Sequence, residues 1–177
     1  RRPPRSTQGV SSAASDVYKR QAIYSPADGV ICLIDESLPP LESELEPILM
    51  KRICVFMNVF NVHVNRSPIQ GRVENIVYKK GQFLNASLDK ASDKNERSSL
   101  ILNSDNGAKI IVVQIAGLIA RRILSFISLS DQLNQGERFG LIRFGSRVDI
   151  YMPLDAVEKC IVGDKVVAGE SILAALK

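Results

Sequence analysis

From residue 22 onward, the pattern of apolar and polar positions is mostly that of β-strands. Phe60, Val62 and Val64 alternate with Asn61, His63 and Asn65, which predicts a strand that buries the first set and turns His63 and its two amide neighbours to the polar face. Stretches rich in Val and Ile predict further strands over Arg72–Tyr78, Leu100–Asn103, Ala108–Ala116, Arg138–Phe144 and Arg147–Met152. Between two of these, Asp105-Asn106-Gly107 signals a hairpin, because Asn-Gly accepts the positive φ values of a type I′ turn. The span from Ser87 to Ser99, with Asp89, Lys90, Asp93, Lys94, Glu96 and Arg97, reads as a charged, solvated loop or short helix.

A weak internal repeat adds to this pattern. Ser130–Glu137 aligns with Gly163–Glu170 in the form small-Asp-x-aliphatic-x-x-Gly-Glu. Each glycine would end a short strand and re-aim the chain, as in the strand-turn-strand units of lipoyl- and biotinyl-carrier domains. The expected fold is therefore mainly β, α+β at most. We expect an antiparallel β sandwich or barrel-like core with lipoyl-like strand-turn-strand units and few short helices. With 177 residues and 45% hydrophobic content, one well-buried domain is expected over residues 22–177.

Residues 1–21 differ from the rest. They are rich in Ser, Arg, Pro and Ala, lack apolar periodicity and lack the apolar core of a signal peptide. Val10–Gln21 resembles a translated adapter sequence, so this leader is expected to be non-native or disordered and to stand where the native start would be. It also carries the whole of the formal charge of +4, leaving 18 cationic and 18 anionic side chains in residues 22–177. A balance of that kind argues against a nucleic-acid partner, which needs a surplus of Lys and Arg. Cys32, Cys54 and Cys160 are odd in number and lack C-x-x-C spacing, so they read as small buried hydrophobes. With one histidine in the chain no metal site is expected. Ile110–Ile127 is the most apolar stretch, but Gln114, Arg121 and Arg122 interrupt it short of the ~20 residues that a spanning helix needs.

Three segments carry candidate chemistry. His63 is the only histidine, so a general base titrating near neutrality must be His63. Ser25-Pro26-Ala27-Asp28-Gly29-Val30 offers a carboxylate, Asp28, that could orient it. Gly145-Ser146 is the only Gly-Ser step, and it lies between two apolar strand runs instead of in a polar linker. A serine activated by a histidine and an aspartate is a recurring arrangement for attack on a carbonyl. Each segment also has a plain reading: a hydrogen-bonded structural histidine, a capped turn, and a loop dipeptide.

Taken in order, Ser25-Pro-Ala-Asp-Gly29, Asn61-Val-His-Val-Asn-Arg-Ser-Pro68, Phe83–Arg97 and Gly136-Glu-Arg-Phe-Gly-Leu-Ile-Arg-Phe-Gly-Ser-Arg-Val-Asp149 resemble the short-type phosphatidylserine decarboxylases, over essentially all of residues 22–177. The resemblance implies a self-processing enzyme. Ser146 would attack the carbonyl of Gly145, and β-elimination of the ester would leave an N-terminal pyruvoyl group on Ser146, the covalent cofactor. His63 would be the base and Asp28 its orienting carboxylate. Residues 1–145 would form a large chain and 146–177 a small one.

The same resemblance implies conversion of phosphatidylserine to phosphatidylethanolamine and CO2 through a Schiff base on the pyruvoyl. It also implies a peripheral location on the cytoplasmic face of the cell membrane, with a homodimer as an option for assembly. Phe-Gly-Ser-Arg at 144–147 distinguishes the chain from the branches that carry Leu-Gly-Ser-Thr. That sequence sets Arg147 beside the reactive group, either holding a phosphate or carboxylate in a local basic patch or facing solvent. Two other readings share features of the sequence. A pyruvoyl decarboxylase of a soluble amino acid shares the cofactor logic. A lipoyl-like carrier or binding module shares the fold, but Met50-Lys51-Arg52 is a poor substitute for the Met-Lys-Met of its hairpin tip.

Overall fold

The computed structural model describes residues 21–41, 47–86, 94–118, 122–143 and 145–177. Among these it is built almost wholly from strands and turns. The order is β1 (Ala22–Tyr24), β2 (Gly29–Ser37), β3 (Met50–Met57), β4 (Val64–Arg66), β5 (Gly71–Lys79), β6 (Arg97–Ser104), β7 (Lys109–Ile115), β8 (Ile123–Ser125), β9 (Gln132–Leu133), β10 (Arg138–Ile142), β11 (Ser146–Met152), β12 (Val157–Glu158), β13 (Lys165–Val166) and β14 (Ile172–Ala175). An eight-stranded sheet runs β13-β2-β3-β11-β7-β6-β5-β9, flanked by three-stranded sheets β1-β14-β12 and β4-β10-β8. The pairs between these strands are antiparallel. The mainly β expectation is thus met.

This strand order is a palindrome centred on the β11–β7 pair. Outward from it, β11, β3, β2 and β13 on one side match β7, β6, β5 and β9 on the other. Local detail repeats as well. The β2–β3 pairing shifts register between Ile31 and Leu33, and β5–β6 shifts between Val73 and Asn75. The hydroxyls of Ser25 and Ser67 each donate to the carbonyl two residues on, both at 2.7 Å. Tyr24 N–H donates to the Pro68 carbonyl while Arg66 N–H donates to that of Pro26, both at 2.9 Å, as a two-fold relation requires. The repeat read from residues 130–137 and 163–170 belongs to the same relation. Asp131 and Asp164 each accept from the amide three residues earlier, and Gly136 and Gly169 both have positive φ.

One half is continuous, β4 to β10. The other is split into β1–β3 and β11–β14, with the continuous half inserted between Met57 and Ser146. In the continuous half, β6 turns into β7 through the predicted hairpin. Only Gly107 of Asn106-Gly107 has positive φ, and Ser104 N–H donates to the Ala108 carbonyl, so the loop is a three-residue turn closed by glycine instead of type I′. In the split half, Ser146 pairs with Met57 where that hairpin would close.

The main core fills the space between sheets. It is built from residues such as Ile53, Val55, Val112, Val148, Ile150 and Leu173, which bury their apolar surface against one another. A second cluster of Met50, Ile101, Ile111, Val113, Ile115 and Tyr151 lies on the opposite face of the large sheet. Both faces of its central strands are therefore buried, and β11 reads as burial at every position.

Two expectations are corrected here. Phe60 is 93% exposed and Val62 is exposed, while Asn65 is fully buried, the reverse of the predicted facing. The cause is local: Phe60 N–H donates to Asn58 Oδ1 and Asn58 N–H donates to Asn61 Oδ1. The segment therefore turns before the strand begins at Val64. The charged stretch at 87–99 is not a solvated loop at its end, since Asn95, Arg97, Ser98 and Ser99 are buried and β6 starts at Arg97. Residues 87–93 lie outside the described residues.

Candidate active site at the Gly145–Ser146 junction

Ser146 is the first residue of β11 and is fully buried. Its hydroxyl donates to Met57 Sδ at 3.6 Å, and sulfur is a weak acceptor, so the resting hydroxyl is lightly held. Gly145, just before it, has φ of +67°, a conformation that L side chains rarely adopt. The Gly145 carbonyl packs so closely on Gly117 that a Cβ added there would sit 1.6 Å from its oxygen. Gly117 is therefore the wall against which the carbonyl of the 145–146 bond rests. Sequence reasoning missed it, because the contact joins positions far apart in the chain.

That wall is held in place from behind. Asn95, buried, donates through Nδ2 to the carbonyls of Ala116 and Leu84, both at 2.8 Å, and accepts from Leu84 N–H at 2.9 Å. One amide side chain thus ties the segment before Gly117 to the segment leading to Ala86, whose Cβ is also close to Gly117.

His63 stands just before β4, half-buried, and its carbonyl accepts from Ile142 N–H at 3.1 Å. Burial lowers the imidazole pKa below its ordinary value, while backbone hydrogen bonding with Val59, Ile142 and Asn58 and the charge of Asp28 act in the opposite direction. His63 is therefore neutral near pH 7, the form a base requires. Asp28 is near enough for its charge to act on the imidazole, and its Oδ1 accepts from Ala168 N–H at 2.7 Å. Asn58 follows Met57, the cross-strand partner of Ser146, and Ile142 lies three residues before Gly145. The His63 loop and the Gly145–Ser146 junction thus meet at one end of the sheets.

A polar pair that the sequence did not reveal lies in the core at this end. Gln114 Nε2 donates to Asn65 Oδ1 at 2.8 Å, and Asn65 Nδ2 faces the Pro26 carbonyl at 3.4 Å and Met57 Sδ at 3.8 Å. Both residues are buried.

Arg147 is neither solvent-facing nor part of a surface patch. Being next to Ser146 on a strand, it points to the opposite face of the sheet, where it is 1% exposed. There its Nε and Nη2 donate to both oxygens of Asp149 at 2.7 and 2.8 Å, and Nη1 faces the Ala86 carbonyl at 3.5 Å. Among the described residues, Arg122, just before β8, and Arg143, just after β10, are exposed basic side chains at this end. The three cysteines are free. Burial, the leading cause at each, raises their pKa values, Cys160 to about 11, so they are protonated at neutral pH, in keeping with structural roles.

A buried serine thus lies behind a left-handed glycine, at the point where one β half is inserted into the other. The phosphatidylserine decarboxylase family profile matches residues 7–174. A phosphatidylserine decarboxylase proenzyme of Ruegeria pomeroyi is 54% identical over 156 residues, covering 88% of this chain and 71% of the relative. The chain belongs to the phosphatidylserine decarboxylase family.

Proposed function

We propose that this enzyme decarboxylates phosphatidylserine to phosphatidylethanolamine using a pyruvoyl group that it makes from Ser146. In this reading Ser146 Oγ attacks the Gly145 carbonyl carbon and His63 takes its proton, with the charge of Asp28 stabilising the protonated imidazole. The peptide bond becomes an ester. Elimination then leaves a carboxylate on Gly145 and an unsaturated residue at 146, which takes up water and releases ammonia. The products are chains 1–145 and 146–177. The positive φ of Gly145 and its close contact with Gly117 support this reading, since both fix the carbonyl beside the hydroxyl that must reach it. Once formed, the pyruvoyl ketone supplies the electron sink for loss of CO2.

The observation that carries the lipid substrate is the rim of the site. Val59, Phe60 and Val62, in the loop with His63, are exposed, and Leu118, beside Gly117, is 66% exposed. Arg122 and Arg143 add positive charge at the same end. Water-exposed apolar side chains gathered with cations around a buried serine suit a molecule with acyl chains and an anionic headgroup. The same rim is suited to a peripheral enzyme at a membrane surface. Among the described residues no helix is long and apolar enough to cross a bilayer.

Intact mass spectrometry tests the processing: two fragments should appear whose masses sum to the precursor plus water minus ammonia, and Ser146→Ala should remain one chain. CO2 release from phosphatidylserine in detergent micelles, with little or none from free serine, tests the substrate. Equal turnover of free serine would favour a decarboxylase of soluble amino acids.

A further inference from the structure

The two-fold relation between the halves supplies a comparison within one chain. Ser146 opposite Met57 occupies the place that Ala108 opposite Ser104 holds in the continuous half, and Gly145 the place of Gly107, both with positive φ. Reactive positions thus have inert counterparts. The buried amide pair has counterparts too. Tyr24 and Arg66 correspond through their reciprocal bonds to Pro68 and Pro26, so Asn65 corresponds to Ile23. Along β7 and β11, with Ala108 matching Ser146, Gln114 corresponds to Met152. Ile23 and Met152 are fully buried members of the apolar core. At matched positions the fold is therefore satisfied by Ile and Met in one half and carries two buried amides in the other, on the side where Ser146 lies.

Buried amides are costly unless bonded and gain little for packing over apolar residues of similar volume. Here they are arranged in a line: Gln114 Nε2 to Asn65 Oδ1, Asn65 Nδ2 to Met57 Sδ, and Met57 Sδ to the Ser146 hydroxyl. Asn65 Nδ2 also faces the carbonyl of Pro26, two residues before Asp28. We propose that Asn65 and Gln114 are positioning residues for self-processing: Gln114 orients the Asn65 amide, which holds the Met57 thioether under the Ser146 hydroxyl and ties that end to the Asp28 loop. This inference rests on the Gly145–Ser146 cleavage proposed above.

The test makes the two halves alike. Asn65→Ile/Gln114→Met installs the residues that the other half already packs, so thermal unfolding should occur at or above the wild-type temperature. Conversion of precursor into two chains should slow by at least ~100-fold, the scale of losing alignment by about an ångström. A second variant separates orientation from bulk. In Gln114→Glu the protonated carboxyl still donates to Asn65, whereas the ionised one would turn the amide round and set its oxygen against that of Pro26. Burial raises such a carboxyl's pKa, so Gln114→Glu should process near neutral pH, where His63 is still neutral, and lose processing on the alkaline side, a fall absent from the wild type.

Wild-type processing rates in the double variant would overturn the proposal. So would a double variant that unfolds well below the wild type, since the pair would then be structural, or a Gln114→Glu profile that follows the wild type. The parent reading fails separately: its failure is a wild-type chain that never cleaves, or a Ser146→Ala chain that does.

Discussion

Replacing Arg147 with Met deletes the cation that Asp149 faces across two hydrogen bonds of 2.7 and 2.8 Å, both side chains being 1% exposed. Among the described residues Arg52 Nη1 lies 3.9 Å from the carboxylate left behind, but the Arg52 guanidinium is already bidentate with Asp35 at 2.8 and 2.6 Å. Compensation is therefore partial. Removing one partner of a buried pair costs about 3–5 kcal/mol because an unpaired charge remains, and Arg52 brings the expected loss to the lower end, about 3 kcal/mol. In a chain of this size 1 kcal/mol moves Tm by roughly 2–4 °C, so a fall of about 6–12 °C is expected. The measurement is thermal unfolding by circular dichroism in a Ser146→Ala background, where the chain stays in one piece and a two-state description applies. Arg147→Met/Asp149→Leu removes both charges and leaves an apolar strand face beside Val113 and Cys54, so it should recover most of the loss. A fall below about 2 °C in the single variant, or a double variant less stable than the single, would refute the view of Arg147 as a buried clamp.

Two further outcomes are expected. Gly117→Ala would bring a methyl to 1.6 Å from the Gly145 oxygen, so the carbonyl must move by about an ångström or more. Processing followed on gels should slow by at least ~100-fold; unchanged kinetics would show that the wall plays no part. The lowered pKa of His63 should give a processing rate that is flat above pH 6.5 and falls only as pH drops through the lowered value. The sign for stability is the same, because the unfolded chain takes up the proton first: the contribution of His63 is complete above about pH 6.5 and lost below it. A rate that rises on acidification would exclude His63 as the base.

The chain's own order of residues determined most of the elements and pointed to the candidate step. Richness in Val and Ile over Arg72–Tyr78 and Arg147–Met152 located β5 and β11 nearly to the residue, because β-branched side chains suit the pleated, buried surface of a strand. Gly145-Ser146 was legible because a Gly-Ser step between apolar strands is chemically out of place, and the Gly-Glu repeat because its turns need positive φ at fixed spacing. Tertiary structure decided which face each alternation presents. Period two says that Phe60 and His63 point opposite ways, not which side is covered, and turns at Asn58 and Asn61 then removed Phe60 and Val62 from the strand altogether. The sheet likewise turned Arg147 away from the site next to it in sequence and into the field of Asp149. Gly117 against Gly145, and Asn65 between Gln114 and Met57, depend on register among strands dozens of residues apart. No local pattern encodes that register, since it is set only when the two halves bury their apolar faces together.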